Sequence, residues 1–274
     1  MQTAHARRGS NSIRLVAVLL LMLGLVIPAT AAAGLPNGRR EKPTIVLVHG
    51  AWADETGWAQ VVRELQKDGY KTVTPRLALE SLEGDVAIVR AALDGIRGQK
   101  LLVAHSYGGF VVSNAAYGRW DVVGIVYTAA FVPDAGDSIV SLGAGYVESA
   151  AIHHLIFTGE PWNSLSFIDP AYFRAIFAAD LSARQAAEFN DAQIPAHPSL
   201  LVTPSGPGAW HHLPTWYAIS GKDLIIDPAQ QRWMAERAGA RIVEFKQDSH
   251  VGGYTVHAKQ FSNLIEKAVR STFH

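Results

Sequence analysis

The 274-residue chain contains no cysteine. That absence excludes a disulfide framework, a thiolate metal site and a lipoprotein attachment point, so the fold rests on its apolar core. An excess of one charge is missing too: 24 basic residues face 24 acidic ones. Setting aside residues 1–33, which hold Arg7, Arg8 and Arg14, leaves 21 basic groups against 24 acidic ones, a net charge of −3. Such a balance gives no electrostatic pull toward nucleic acid or anionic membranes, and neither is expected as a partner. The apolar run Leu15–Ile27 falls short of the roughly 20 residues that a comfortable membrane span needs. It follows a basic stretch, and Pro28 breaks it before Ala29-Thr30-Ala31-Ala32-Ala33. The pattern predicts a secretory signal peptide over residues 1–33, cut after Ala31 or Ala33, and a secreted or periplasmic protein. An uncleaved N-terminal anchor is the alternative; the residues after Arg7-Arg8 fit a twin-arginine signal poorly. Internal repeats and long low-complexity linkers are absent, and residues 34–274 suffice for one domain with a large core.

What is present is organised around one stretch. Leu101-Leu102-Val103-Ala104 reads as a buried parallel strand, and Phe110-Val111-Val112 belongs to a buried helix. Between them, His105-Ser106-Tyr107-Gly108-Gly109 puts a serine at the point of reversal, flanked by small residues. This is the layout of a nucleophile elbow, in which a tight strand-to-helix turn pushes the hydroxyl out of the sheet. Ala104 stands where the usual G-x-S-x-G pattern has its first glycine. The requirement there is a small side chain where strand and helix pass closely.

Strands and helices alternate around the elbow. Thr44–Val48 is an apolar strand running into His49-Gly50-Ala51-Trp52, and Thr56 is placed to cap a helix striped by Trp58, Val61, Val62 and Leu65. Tyr70–Thr74 is expected as a strand, Leu82–Ile96 as a helix and Val122–Tyr127 as a strand. After Phe131 the alternation fails. Turn residues, aromatics and short helical signals, such as Asp169 before Pro170 and the capping box Ser182–Gln185, fill the chain to Pro214. A structureless loop of that length is improbable in a compact domain, so 133–214 is read as a small cap inserted into the domain. Shortening it is expected to shift substrate preference without removing the chemistry. Alternation returns with strand Trp216–Ile219, helix Pro228–Ala238, strand Arg241–Phe245 and a last helix over Val256–Val269. This is an α/β architecture, a mostly parallel sheet with helices on both faces.

A serine hydroxyl needs an adjacent base, itself oriented by a third group. In an elbow fold the chain order is Ser, acid, His. Asp223 follows the strand ending near Ile219, and His250 lies in the loop after the last strand, in Asp248-Ser249-His250-Val251-Gly252-Gly253. With Ser106 they all fall at strand carboxyl ends, where open parallel sheets build their sites. Two backbone N–H groups are needed for the developing oxyanion, and Ala51 and Tyr107 are placed to supply them. Asp227 is the other acid nearby. Followed by Pro228, it is the natural helix N-cap, with Gln230 at capping-box spacing. Trp52, Phe131, Trp162, Trp210 and Trp216 are candidates for an apolar pocket wall, with core as the competing role. The pairs His153-His154 and His211-His212 point to no metal site, since neighbouring side chains diverge and no carboxylate cluster accompanies them.

From about Pro43 onward the chain resembles the α/β-hydrolases, and within them the branch of plant methylesterases, hydroxynitrile lyases and bacterial esterase relatives. The residues carrying the resemblance are Leu47-Val48-His49-Gly50-Ala51-Trp52, His105-Ser106-Tyr107-Gly108-Gly109, Ala130-Phe131-Val132-Pro133, and Asp223 through Pro228 leading to Gln231-Arg232-Trp233-Met234. The resemblance implies a triad of Ser106, Asp223 and His250, oxyanion donors at Ala51 and Tyr107, no cofactor or metal, and a small-molecule ester as substrate. Lyases of that branch carry a lysine directly after the catalytic histidine and a threonine after the first-loop histidine. Here those positions are Val251 and Gly50, which favours an esterase. Acyl transfer by the same triad and a non-catalytic hydrolase-like binding protein are the other readings.

Overall fold

The computed structural model describes residues 41–160 and 163–272. The expected signal peptide and Trp162 therefore lie outside the described residues. Eight strands and nine helices follow in chain order among them: β1 (Thr44–Val48), α1 (Ala59–Lys67), β2 (Thr72–Val73), α2 (Leu82–Asp94), β3 (Lys100–Ser106), α3 (Gly108–Ala115), β4 (Val122–Ala130), α4 (Ile139–Gly143), β5 (Leu155–Thr158), β6 (Leu165–Ile168), α5 (Pro170–Phe177), α6 (Ala183–Asp191), β7 (Thr215–Ser220), α7 (Pro228–Arg237), β8 (Arg241–Phe245), α8 (Gly252–Thr255) and α9 (Ala258–Thr272).

Six strands form one sheet in the order β2-β1-β3-β4-β7-β8, with every neighbouring pair parallel. The central strands β1, β3 and β7 are buried along their whole length, as their near-continuous apolar sequences dictate. At the margin, β8 exposes Arg241 and Glu244, charges that discourage pairing with another chain. Helix α1 packs on α9 and α2 on α3, and the core runs through the sheet between them.

Three local expectations are corrected. Asp54, not Thr56, is the cap: its carboxylate accepts the Thr56 N–H at 2.9 Å and opens a 3-10 turn over Glu55–Trp58 that precedes α1. The Asp54 carboxylate reaches forward to the N–H two residues on, as Asx residues do. The strand expected over Tyr70–Thr74 pairs with β1 only through Thr72 and Val73. Segment 133–214 holds, besides its short helices, an antiparallel hairpin of β5 and β6 turning through Gly159, whose φ is +88°.

Candidate active site

Ser106 ends β3, with φ at +54°, the left-handed conformation that a sharp strand-to-helix reversal demands. Such a backbone costs a non-glycine residue free energy that the surroundings must over-determine. They do so by close approach. A Cβ on Gly109 would fall 1.9 Å from the Phe131 carbonyl oxygen, and one on Gly50 would fall 2.5 Å from the Ser106 Cβ. The Ser106 carbonyl accepts the Phe131 N–H at 3.2 Å. Behind the elbow, the Tyr107 hydroxyl donates to Asp85 Oδ2 at 2.9 Å, while Asp85 Oδ1 accepts the N–H groups of Ala78 and Leu79. Burial pushes the Tyr107 phenol far above its ordinary value, so that hydroxyl stays a donor to Asp85. The Tyr107 N–H and the Ala51 N–H bind no other group among the described residues.

Asp223, just past β7, is buried and takes hydrogen bonds on both oxygens. Its Oδ1 accepts from the N–H groups of Ile225 (2.7 Å) and Ile226 (3.1 Å), and its Oδ2 from Gln231 Nε2 (2.8 Å) and His250 Nδ1 (2.7 Å). Gln231 is itself locked, donating to the Ile226 carbonyl at 2.8 Å and accepting the Ser220 N–H at 3.0 Å. Nothing in the sequence marks the two N–H groups that Asp223 accepts or the role of Gln231; the orienting network is a turn closed by a helix side chain.

A carboxylate accepts only, so Nδ1 of His250 carries a proton, and in the neutral imidazole the lone pair is then on Nε2. That Nε2 is buried and without a hydrogen-bond partner. Two further rings pack against the imidazole. His105 Nε2 donates to the His250 carbonyl at 3.0 Å, with ring centroids 4.4 Å apart, and Phe177 meets it edge-on at 4.8 Å. Burial above all, and then the nearness of His250, push His105 well below the ordinary imidazole value, so it is neutral. Next to His250, the Ser249 N–H donates to Asp180 Oδ2 at 2.8 Å and the Ser249 hydroxyl to Asp180 Oδ1. Asp180 follows α5 in the inserted segment. No local motif announced it, because its partner stands 69 residues away.

Ser106 opens onto a cavity of about 610 Å³. Ala51, Trp52, Tyr107 and Phe131 line it beside the serine, and Ile139, Val140 and Ile152 of the inserted segment form much of the far wall. Trp52 (φ +55°) reaches that segment through Nε1, 3.4 Å from Ser166 Oγ. Trp210 does not line the cavity. Its Nε1 donates to the Pro133 carbonyl at 2.8 Å and its ring stacks on His211, so its polar edge is spent closing the base of the insertion. Trp216 is core, buried within β7. The structure thus joins Asp223 to His250, ties His250 to the elbow through His105, and sets Ser106, Ala51, Tyr107, Trp52 and Phe131 around one cavity.

The model of the alpha/beta hydrolase family matches residues 45–263. The chain is 25% identical over 205 residues to a probable hydrolase, R7, of a Phoma species, covering 69% of this chain and 81% of that one. It is 34% identical over 111 residues to the carbendazim hydrolyzing esterase of a Nocardioides species, covering 35% of this chain and 46% of that one. In fold it is similar to polyneuridine aldehyde esterase, with a TM-score of 0.72 at 16% identity over 83% of this chain and 100% of that one.

Proposed function

The chain belongs to the alpha/beta hydrolase family, and from that premise we propose that it is a serine hydrolase cleaving small carboxylic esters with an apolar or aromatic body through an acyl-enzyme. One observation carries this reading: His250 has Nδ1 committed to Asp223 and Nε2 uncommitted, in a fold whose elbow serine faces an apolar cavity. The uncommitted nitrogen takes the Ser106 proton as Oγ attacks the ester carbonyl. Asp223, held by four donors, keeps the imidazole in the right tautomer and stabilises the imidazolium that forms. The Ala51 and Tyr107 N–H groups receive the oxyanion. Collapse of the tetrahedral adduct breaks the bond to the alkoxy group, which leaves as an alcohol with the proton from His250. Water then attacks the Ser106 acyl carbonyl, again deprotonated by His250, and releases the acid and free serine.

Hydrolysis is favoured over cyanohydrin cleavage because Val251 follows His250 and because Gly50 faces Ser106 so closely. A Cβ there would also sit 3.1 Å from Ser106 Oγ. The reading places the mature enzyme outside the cytoplasm, released from a signal peptide over residues 1–33; N-terminal sequencing of exported protein tests that.

The deciding experiment is a hydrolysis screen of purified protein across acyl lengths and leaving groups, with Ser106→Ala as the blank. Loss of the nucleophile is expected to lower turnover about 10⁶-fold, and an organophosphonate is expected to label Ser106. Near-wild-type rates in Ser106→Ala, or Ser106-dependent cyanide release from mandelonitrile without ester turnover, would sink the reading.

A further inference from the structure

Gln230 sits in the first turn of α7, where its spacing from Asp227 predicts a capping box. It does not perform that task. The residue is 3% exposed and lines the cavity, while its Nε2 is shielded from the open space as placed and has no hydrogen-bond partner. Its neighbours are already committed. Asp227 accepts the Ala229 N–H at 2.9 Å on one oxygen and the Val147 N–H at 3.0 Å on the other. Gln231 is used up on Asp223, Ile226 and Ser220. Leaving an amide donor buried and unpaired is costly, and ordinary protein interiors avoid it. Here the wall is otherwise largely apolar, with Phe131, Ile139, Val140, Ile152, Leu201 and Ile225. The remaining polar groups lie at the elbow or on the loop after α4, where Glu148 is paired with His153 at 2.8 Å.

We propose that Gln230 is a specificity-determining residue, and that the preferred ester carries an oxygen acceptor on the apolar group filling this cavity. The acceptor is neutral, a carbonyl, ether or hydroxyl oxygen. Among the described residues no Lys, Arg or His side chain lines the cavity to balance a carboxylate, and Glu148 opposes one. A pure hydrocarbon group seals the amide in without a partner. A group bearing an oxygen completes it, so the site discriminates by what the free protein leaves unsatisfied. The terminal amide torsion is soft, and a turn about it presents the N–H to the cavity. The inference rests on the hydrolase reading and sharpens its substrate class.

The test compares kcat/KM in two matched pairs: p-nitrophenyl 4-oxopentanoate against the pentanoate, and 2-methoxyethyl benzoate against butyl benzoate. The first pair probes the acyl half of the substrate, the second the alcohol half. Each is measured with wild type, Gln230→Leu and Gln230→Met, the variants keeping bulk without the donor. Taking the ratio within each pair and comparing it between proteins cancels the intrinsic reactivity of the esters. In at least one pair the wild-type preference for the oxygenated ester is expected to exceed that of both variants about tenfold, the worth of one neutral hydrogen bond. The change is expected mainly in KM. Ratios agreeing within about twofold in both pairs overturn the assignment and leave the hydrolase reading standing. Absence of Ser106-dependent turnover for all four esters overturns the hydrolase reading and the assignment with it.

Discussion

The two ends of the parallel sheet treat buried polar groups in opposite ways. At the amino end, Lys100 opens β3 almost fully buried, with Nζ 2.7 Å from Asp121 Oδ2, and Arg119 donates to both Asp121 oxygens at 3.0 and 2.9 Å. Burial alone would raise the Asp121 carboxyl, but Arg119 and Lys100 outweigh it and hold the group at about 2. At the carboxyl end, His105 Nδ1, Ser220 Oγ, Gln230 Nε2, Asp248 Oδ2 and His250 Nε2 are all buried without partners. At one end the charges are closed on each other, and Trp216 Nε1 near the start of β7 is the buried donor left unpaired there. The other keeps open valences, among them Gln230 on the cavity wall and Nε2 of His250. A fold satisfies its polar groups where nothing else is asked of them and departs from that rule where chemistry happens.

The comparison breaks first at Asp223. Asp223→Asn cannot hold the Nδ1–H tautomer of His250, so turnover is expected to fall about 10⁴-fold while the fold survives; steady-state kinetics beside circular dichroism checks both halves. Asp121→Asn probes the closed end. It strands the buried Lys100 ammonium and is expected to cost about 3 kcal/mol of stability at neutral pH, with kcat/KM little changed. The sign of its pH dependence follows from the lowered pKa. The carboxylate's contribution is complete above the unfolded value of 3.8 and is lost as pH falls through about 2. Denaturation curves at pH 7 and pH 2 should therefore separate wild type from variant only at the higher pH. Asp227→Ala removes the α7 cap and is expected to cost about 1 kcal/mol, read as a lower thermal midpoint with most activity kept.

The smallest effect sharpens the picture at the open end. Burial above all, and also the neighbouring Asp180, push the Asp248 carboxyl up to about 6, against the pull of His257 at 3.2 Å. A carboxyl raised in the folded state subtracts stability when ionised, above pH 6, and nothing below its ordinary range. Asp248→Asn should accordingly raise the thermal midpoint at pH 8 and leave it almost unmoved at pH 3. A midpoint raised equally at both would show that charge is not the cause.

Much of this was legible before any coordinates. The order Ser106, Asp223, His250 could be read because each stands at or just past the end of an expected strand, and strand ends in a parallel sheet converge. Asp227 could be read as a cap because Pro228 follows it, and the bond to Ala229 N–H agrees. What escaped the sequence lies across long separations or on ambiguous patterns. Gln231 and Asp180 act on residues whose nearness only the fold creates. The β5–β6 hairpin is short and partly exposed, with too few residues for a period to emerge. Aromatics are the hardest: Trp52, Trp210 and Trp216 look alike in a sequence, yet one lines the cavity, one closes a loop base and one is core. Gln230 misled for a related reason, since capping-box spacing says where a side chain could turn, not where it does.

Asp180 changes how the inserted segment should be thought of in evolution and engineering. Substrate-gathering walls are commonly treated as exchangeable modules, to be swapped or trimmed while the catalytic base is left alone. Here the residue after α5 grips Ser249 by backbone and hydroxyl, one position before His250. The inserted segment and the loop of His250 are thus physically coupled in this chain. Trimming the segment past Asp180 removes both bonds to Ser249, so a shortening that keeps this residue is the one that tests whether the chemistry survives without the rest of the wall. A chimera built from a relative keeps its proton transfer only if an acid at this position travels with the transplanted piece.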